Sequence, residues 1–180
     1  SVMRAYIEGK LHAKEQISKL FTFGPMFRYE RPQKGRMRQF HQLDVECIGP
    51  SEPHVDAEVI CMLTEYLSKL GLERLTVELN TLGCRECRPS YEQALADFFK
   101  TLDINTLCDD CRRRMSTNPL RVLDCKVPGC KEQLEQAPAI IDHTCDECSE
   151  HFSQVRRVLD SLGIAYVLNK RLVRGLDYYM

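Results

Sequence analysis

The sequence predicts an α+β fold, and three observations carry that reading. Residues 22–47 form two alternating arms around a loop holding Pro32 and Gly35, the pattern of an antiparallel hairpin. Apolar residues recur at helical spacing over 52–70, 90–102 and 145–162. Two short alternating runs, 75–79 and 164–168, read as further strands. A chain of 180 residues is long enough to bury a core of its own.

Taken in order, residues 1–10 read as a short helix, with Met3, Ile7 and Leu11 near helical spacing and Ser1 placed to cap it. Residues 12–18 read as a loop. In the hairpin, Met26, Arg28 and Glu30 share one face of the first arm. Arg36, Arg38, Phe40, Gln42, Asp44 and Glu46 share one face of the second. The opposite face of the second arm, with Leu43, Val45 and Cys47, suits a core. In the helix at 52–70, Val55, Val59, Met62, Leu63, Tyr66, Leu67 and Leu70 form a stripe. Ser51 is its cap and Gly71 closes it. Cys61 on this helix reads as a small buried residue and His54 as a solvated one.

Further on, Tyr91, Leu95, Phe98 and Phe99 stripe a helix at 90–102, and a second short helix contains 108–115. Residues 120–123 read as a short strand and 130–136 as a short helix before Pro138. The helix at 145–162 turns Phe152, Val155, Val158, Leu159 and Leu162 to a core and ends at Gly163. Residues 171–179 continue extended or as a turn around Gly175. The shift in composition suggests two units. Residues 1–82 and 164–180 read as parts of one antiparallel-sheet domain, and 83–163 as a mostly helical, cysteine-rich insertion domain.

The net charge is -1, so any nucleic-acid site must be a local patch rather than a global basic field. No apolar run approaches membrane-spanning length and the start of the chain lacks a secretory signal, so the expected setting is cytoplasmic. Such a patch exists. Arg28, Arg31, Lys34, Arg36 and Arg38 place five cations in eleven residues, with no acid after Glu30 until Asp44. Guanidinium forks bind phosphate oxygens in pairs, a phenylalanine ring stacks on a base, and a carboxylate accepts from an exocyclic amine. The face of the hairpin therefore fits a polyanion with a flat base. A plain solvated edge hairpin also uses cations, but it seldom interleaves Phe, Gln and Glu with them.

Of ten cysteines, eight fall in close pairs: Cys84/Cys87, Cys108/Cys111, Cys125/Cys130 and Cys145/Cys148. Each pair can supply two zinc ligands, so two tetrathiolate sites and one site with spare thiols are both open. Structural zinc, free reduced thiols and an iron–sulfur cluster are the three readings, with zinc foremost. His143 and His151 could replace a thiolate, though such residues are more often ordinary surface histidines. Arg85, Arg88 and Arg112 to Arg114 are candidates to offset thiolate charge.

The run PMFRYERPQKGRMRQFHQ resembles motif 2 of class II aminoacyl-tRNA synthetases: Phe27-Arg28-Tyr29-Glu30, a loop, then Arg36, three residues and Phe40. The longer RYERPQKGR…QFHQ, with RLVRGLDYY at 171–179, resembles the histidyl-tRNA synthetase family in particular. The resemblance implies part of the class II antiparallel sheet with flanking helices, and activation of histidine by ATP with Mg2+ followed by transfer to the 3′ end of tRNA(His). It implies that Arg28 and Arg174 are catalytic on the α-phosphate. Arg28, Glu30, Arg36 and Phe40 would bind ATP; Gln42, Glu46, Arg174, Tyr178 and Tyr179 would bind histidine. It also implies that the motif 2 loop touches the tRNA acceptor end and that the parent is a homodimer, with no membrane or DNA partner. Motifs 1 and 3 and an anticodon-binding domain are not in the sequence. The expectation is therefore a fragment with little or no aminoacylation activity alone. Two other readings compete: an inactive paralogue such as the regulatory subunit of ATP phosphoribosyltransferase, and a zinc-stabilised RNA-binding module.

Overall fold

In a computed structural model, residues 2–29 and 31–173 are described. The chain divides into two units, Ser1–Ile60 and Cys61–Met180. The first opens with α1 (Val2–Glu8) and a 3-10 turn (Leu11–Ala13), where a loop was expected. Tyr6 of α1 is buried, its ring 6.1 Å from that of His12. Then come β1 (Ser18–Phe27) and β2 (Gln39–Ile48), paired antiparallel from Ser18↔Ile48 to Phe27↔Gln39. The expected hairpin is present. Its tip is a bridge between Gln33 and Arg36, with backbone hydrogen bonds of 3.1 and 2.8 Å. Gly35 takes φ 76° there, a left-handed value that glycine reaches without a Cβ clash.

Burial on the ribbon runs opposite to expectation. The row with Leu20, Thr22, Met26, Arg28, Phe40, Asp44 and Glu46 is half-buried, whereas Phe21, Phe23, Phe27, Leu43 and Val45 are exposed. A two-stranded ribbon cannot cover its own face. Leu43 and Val45, expected in a core, are exposed.

A helix, α2 (Pro53–Lys69), follows, and the boundary between the two units falls within it. Val55 and Ala57 are buried, and the Lys19 ammonium bonds both carboxylate oxygens of Glu58 at 2.6 and 2.7 Å. The later members of the predicted stripe, Met62, Leu63, Tyr66 and Leu70, are exposed, and Cys61 is half-buried rather than buried. His54 is exposed as expected.

In the second unit β3 (Val77–Leu79) pairs with β4 (Tyr166–Leu168) in parallel, starting at Val77↔Tyr166. This ladder is a correction to a purely antiparallel sheet. Parallel neighbours need a long crossover, and here it is the whole helical, thiol-bearing segment. The Asn80 side chain donates to the Leu172 carbonyl at 2.9 Å, and Asn169 donates to Glu78 at 2.8 Å, so the ends of the crossover are tied together.

The crossover contains α3 (Cys87–Lys100), α4 (Asp109–Thr117), α5 (Pro128–Gln133) and α6 (Asp146–Ser161). Tyr91, Leu95 and Phe99 of α3 are buried with Leu107, Val122, Leu123, Leu134 and Ile140 in one core. The stripe on α3 was legible because its period is helical. Residues 120–123 are not a strand. A 3-10 turn (Pro119–Val122) stands there, with Pro119 at its first position and the Arg121 N–H donating to the Asn118 carbonyl at 3.0 Å. Val122 and Leu123 are buried in the core, with Leu120 packed against it. On α6 Phe152, Val155 and Leu159 are buried, but Leu162 lies past the end of the helix and is exposed. Among the described residues no helix is long and apolar enough to cross a membrane.

Candidate functional site

The first candidate is the half-buried row of the ribbon. Register places Met26 opposite Phe40, Gly24 opposite Gln42, Thr22 opposite Asp44 and Leu20 opposite Glu46. Directly opposed residues of an antiparallel pair project to the same face, so both arms contribute to one row. Just beyond the ladder, the Arg28 N–H donates to the Arg38 carbonyl at 2.9 Å, and the Arg28 guanidinium lies 4.4 Å from the centre of the Phe40 ring. That separation is cation–π contact. The Arg28 Nε also donates to the Met37 carbonyl at 2.9 Å, which fixes the fork from behind. Gln42 donates its amide to Asp44, the next residue on the same face. Phe40 and Glu46 are separated by about 20 Å along an extended strand.

Phe40, Gln42 and Glu46 thus lie on one face, as alternation predicted, and the pairing of the arms brings Arg28 to Phe40. Arg36 and Arg38 are a different matter. The ladder stops at Gln39, so alternation does not set their direction, and the Arg38 guanidinium sits 5.9 Å from the Tyr29 ring. Glu30, Arg174, Tyr178 and Tyr179 lie outside the described residues. One member of the row, Thr22, was missed. Thr22 carries a buried hydroxyl with no hydrogen-bond partner among the described residues, and Asp44 faces it across the ladder. Only the register between the arms could have revealed that pairing.

The second candidate is the set of thiols. The eight paired cysteines gather into two fours: Cys84, Cys87, Cys145 and Cys148, and Cys108, Cys111, Cys125 and Cys130. Within each four the sulfurs all lie within 4.8 Å of one another, and each group could hold a metal ion. His143 and His151 belong to neither. His143 instead lies 3.5 Å from the Ser90 hydroxyl, with its ring 5.7 Å from that of Tyr91.

Local structure builds both groups the same way. Cys108 and Cys145 are the extended residues that precede α4 and α6, and their C-x-x-C partners, Cys111 and Cys148, sit in the first turns. The Cys145 N–H donates to the Cys87 sulfur at 3.1 Å and the Cys108 N–H to the Cys130 sulfur at 3.2 Å. Gly83, at φ 61°, brings the chain into Cys84 so closely that a Cβ there would lie 3.0 Å from the Cys87 Cβ.

Burial pushes the Cys87 thiol up, but hydrogen bonds from Cys84 and Cys145 outweigh it and bring it down to about 6. The Cys111 backbone draws Cys108 down to about 7, helped by neighbouring thiols. Burial raises Cys111 and Cys148. In each group one thiol is thus drawn down while a buried neighbour is pushed up. The arginines of α4 are engaged locally: Arg112 pairs with Asp109, Arg113 with Asp110 at 2.6 Å, and Arg114 with Asp110 at 3.8 Å.

The ribbon with its cationic tip and the helical crossover with thiols in fours define an α+β protein with a row of polar and aromatic side chains on one face of the ribbon and two groups that could each hold a metal ion. A profile of the family described as histidyl-tRNA synthetase matches residues 1–180. The chain is 66% identical over 178 residues to the histidine–tRNA ligase of Oleidesulfovibrio alaskensis, covering 99% of this chain and 43% of that protein. It is 55% identical over 179 residues to that of Geobacter sulfurreducens, with 99% and 43% covered. The crystal structure of apo S. aureus histidyl-tRNA synthetase aligns with a TM-score of 0.73 at 38% identity, covering 99% of this chain and 41% of that one. The chain belongs to the histidyl-tRNA synthetase family, and it spans less than half the length of these relatives. The inactive-paralogue reading is not favoured by these matches.

Proposed function

We propose that the chain carries the nucleotide- and histidine-binding row of a histidine–tRNA ligase, which forms histidyl-adenylate from histidine and ATP and passes the histidyl group to the 3′ end of tRNA(His). The observation that supports this best is the Arg28 guanidinium against the Phe40 ring at 4.4 Å, at the head of a row that continues through Gln42 to Glu46. Phe40 takes the adenine ring, and Arg28, beside it, takes the α-phosphate. Gln42 holds the α-amino group of histidine, oriented by its bond to Asp44. Glu46 accepts from the imidazole. Attack by the histidine carboxylate puts negative charge on the α-phosphate, and positioned cations lower that barrier. By family resemblance, Glu30 meets the adenine amine, Arg36 reaches the γ-phosphate, Arg174 joins Arg28, and Tyr178 and Tyr179 close the imidazole pocket. Mg2+ would enter with ATP and offset phosphate charge.

The same reading makes residues 83–163 an insertion in a catalytic domain formed by 1–82 and 164–180, lying against the tRNA acceptor stem. It makes the working enzyme a cytoplasmic homodimer. Any structural zinc held by the thiols would serve the fold and take no part in the reaction.

The test is histidine-dependent exchange of label between pyrophosphate and ATP. It is run in the O. alaskensis enzyme with this chain in place of the 178 residues it matches. Exchange is expected in the chimera, and Arg28→Ala is expected to lower it about 100-fold or more, the scale seen when one charge-stabilising donor is removed. Undiminished exchange in that variant would remove Arg28 from the chemistry.

A further inference from the structure

We propose that the chain binds two zinc ions in separate, nested tetrathiolate sites. Cys84, Cys87, Cys145 and Cys148 hold the outer ion; Cys108, Cys111, Cys125 and Cys130 hold the inner one. This goes beyond the ligase reading and does not depend on it.

Sulfur spacing carries the argument. A tetrahedral ion with zinc–sulfur bonds of about 2.3 Å sets its sulfurs about 3.8 Å apart. The Cys84 and Cys145 sulfurs are 3.9 Å apart and those of Cys108 and Cys125 3.8 Å, in each case between two different pairs. Disulfide bonds would bring sulfurs to about 2.05 Å, and all ten cysteines are free thiols. A multi-iron cluster would set its cysteine sulfurs wider, because inorganic sulfide and several irons lie between them. A single ion fits each group.

The surroundings agree. Each group takes a C-x-x-C from the start of a helix, where the positive end of the helix and unpaired N–H groups favour thiolate. In each, the N–H of the residue before that helix reaches a sulfur of the other pair. Cys111, Cys125 and Cys130 lie in the hydrophobic core beside Val122 and Leu134, with Cys108 packed against it, so the inner site is shielded from water. Metal binding would deprotonate all four and release the protons to solvent.

Nesting gives the two ions different parts. The outer site joins thiols 61 residues apart, at the entrance to α3 and the start of α6, and so closes the ends of the crossover. The inner site joins thiols 17 residues apart within that loop. Three of the four outer thiols are only half-buried, whereas three of the four inner ones are buried. The outer ion therefore leaves first.

The test uses the full chain, purified without a metal-affinity tag. Elemental analysis is expected to give two zinc per chain, and cobalt exchange to give the visible bands of tetrahedral thiolate coordination. Under a zinc chelator, metal should leave in two phases. Alkylation followed by mass spectrometry should find Cys84, Cys87, Cys145 and Cys148 labelled in the first phase. The double variant Cys84→Ser, Cys87→Ser should retain one zinc and the near-ultraviolet signature of its buried tyrosines, Tyr6 and Tyr91. A metal-free native chain with all thiols open to alkylation overturns the proposal. So do bound iron or acid-labile sulfide, a single zinc per chain, and first-phase labelling at the inner four. The wild-type metal count and labelling order decide the matter even if a variant fails to fold.

Discussion

Tyr91 sets the terms at the scale of single residues. It is 1% exposed, and its hydroxyl has no hydrogen-bond partner among the described residues. A buried unpaired hydroxyl costs about 1–3 kcal/mol. Burial also pushes its phenol up to about 12. The unfolded phenol ionises near 10, so the folded form keeps its proton after the unfolded form has lost it. Stability is unaffected by this group below pH 10 and falls as pH rises from 10 toward 12. Tyr91→Phe is expected to stabilise the chain by about 1 kcal/mol in urea unfolding and to remove that part of the alkaline loss. Gly83→Ala should act in the other direction. At φ 61°, with a Cβ 3.0 Å from Cys87, it is expected to destabilise by about 1–3 kcal/mol and to weaken the outer four-thiol group, read by the denaturation midpoint and by thiol labelling. Neither effect was visible in the sequence, since both depend on what surrounds a side chain. The shared face of Phe40, Gln42 and Glu46 was visible, because alternation along a strand needs no knowledge of the rest of the molecule. Thr22 opposite Asp44 was not, because it depends on register.

Elements were legible where a period ran long enough. The stripes of α3 and α6 repeat over several turns, and their central residues are buried as read. Leu95 at 0% exposure is the plainest case, and Leu95→Ala is expected to cost about 2–5 kcal/mol in urea unfolding. Three apolar residues among the four at 120–123 were too few to distinguish a strand from a turn, and Pro119 stands at the first position of the 3-10 turn found there. The stripe on α2 was correctly periodic and yet half exposed. Period reports which residues share a face, and what covers that face is a separate matter. The same holds for the ribbon, where Phe21, Phe23 and Phe27 form an exposed apolar face. The parallel pairing of β3 with β4 was likewise hidden, because a three-residue run says nothing of its neighbour.

For the whole molecule, the pairs of cysteines were obvious in the sequence but their partners were not. Four pairs can be grouped in several ways, and only the fold chooses. It joins the first pair to the last and encloses the middle two, a consequence of the crossover returning to its starting strand. The ligase reading rests on a different part of the chain, the ribbon, and on one feature of it: the face occupied by the even-numbered residues of β2. Gln42 and His41 are neighbours in sequence on opposite faces of one strand. The most direct measurement is therefore the KM for histidine in pyrophosphate exchange by the chimeric enzyme, compared between Gln42→Ala and His41→Ala. Loss of a hydrogen bond to a charged group, about 1.5–3 kcal/mol, should raise the KM of the Gln42 variant roughly 10-fold to 100-fold. The His41 variant should match the parent. Equal effects from the two substitutions, or a larger one from His41, would contradict the assignment of this face to the substrate.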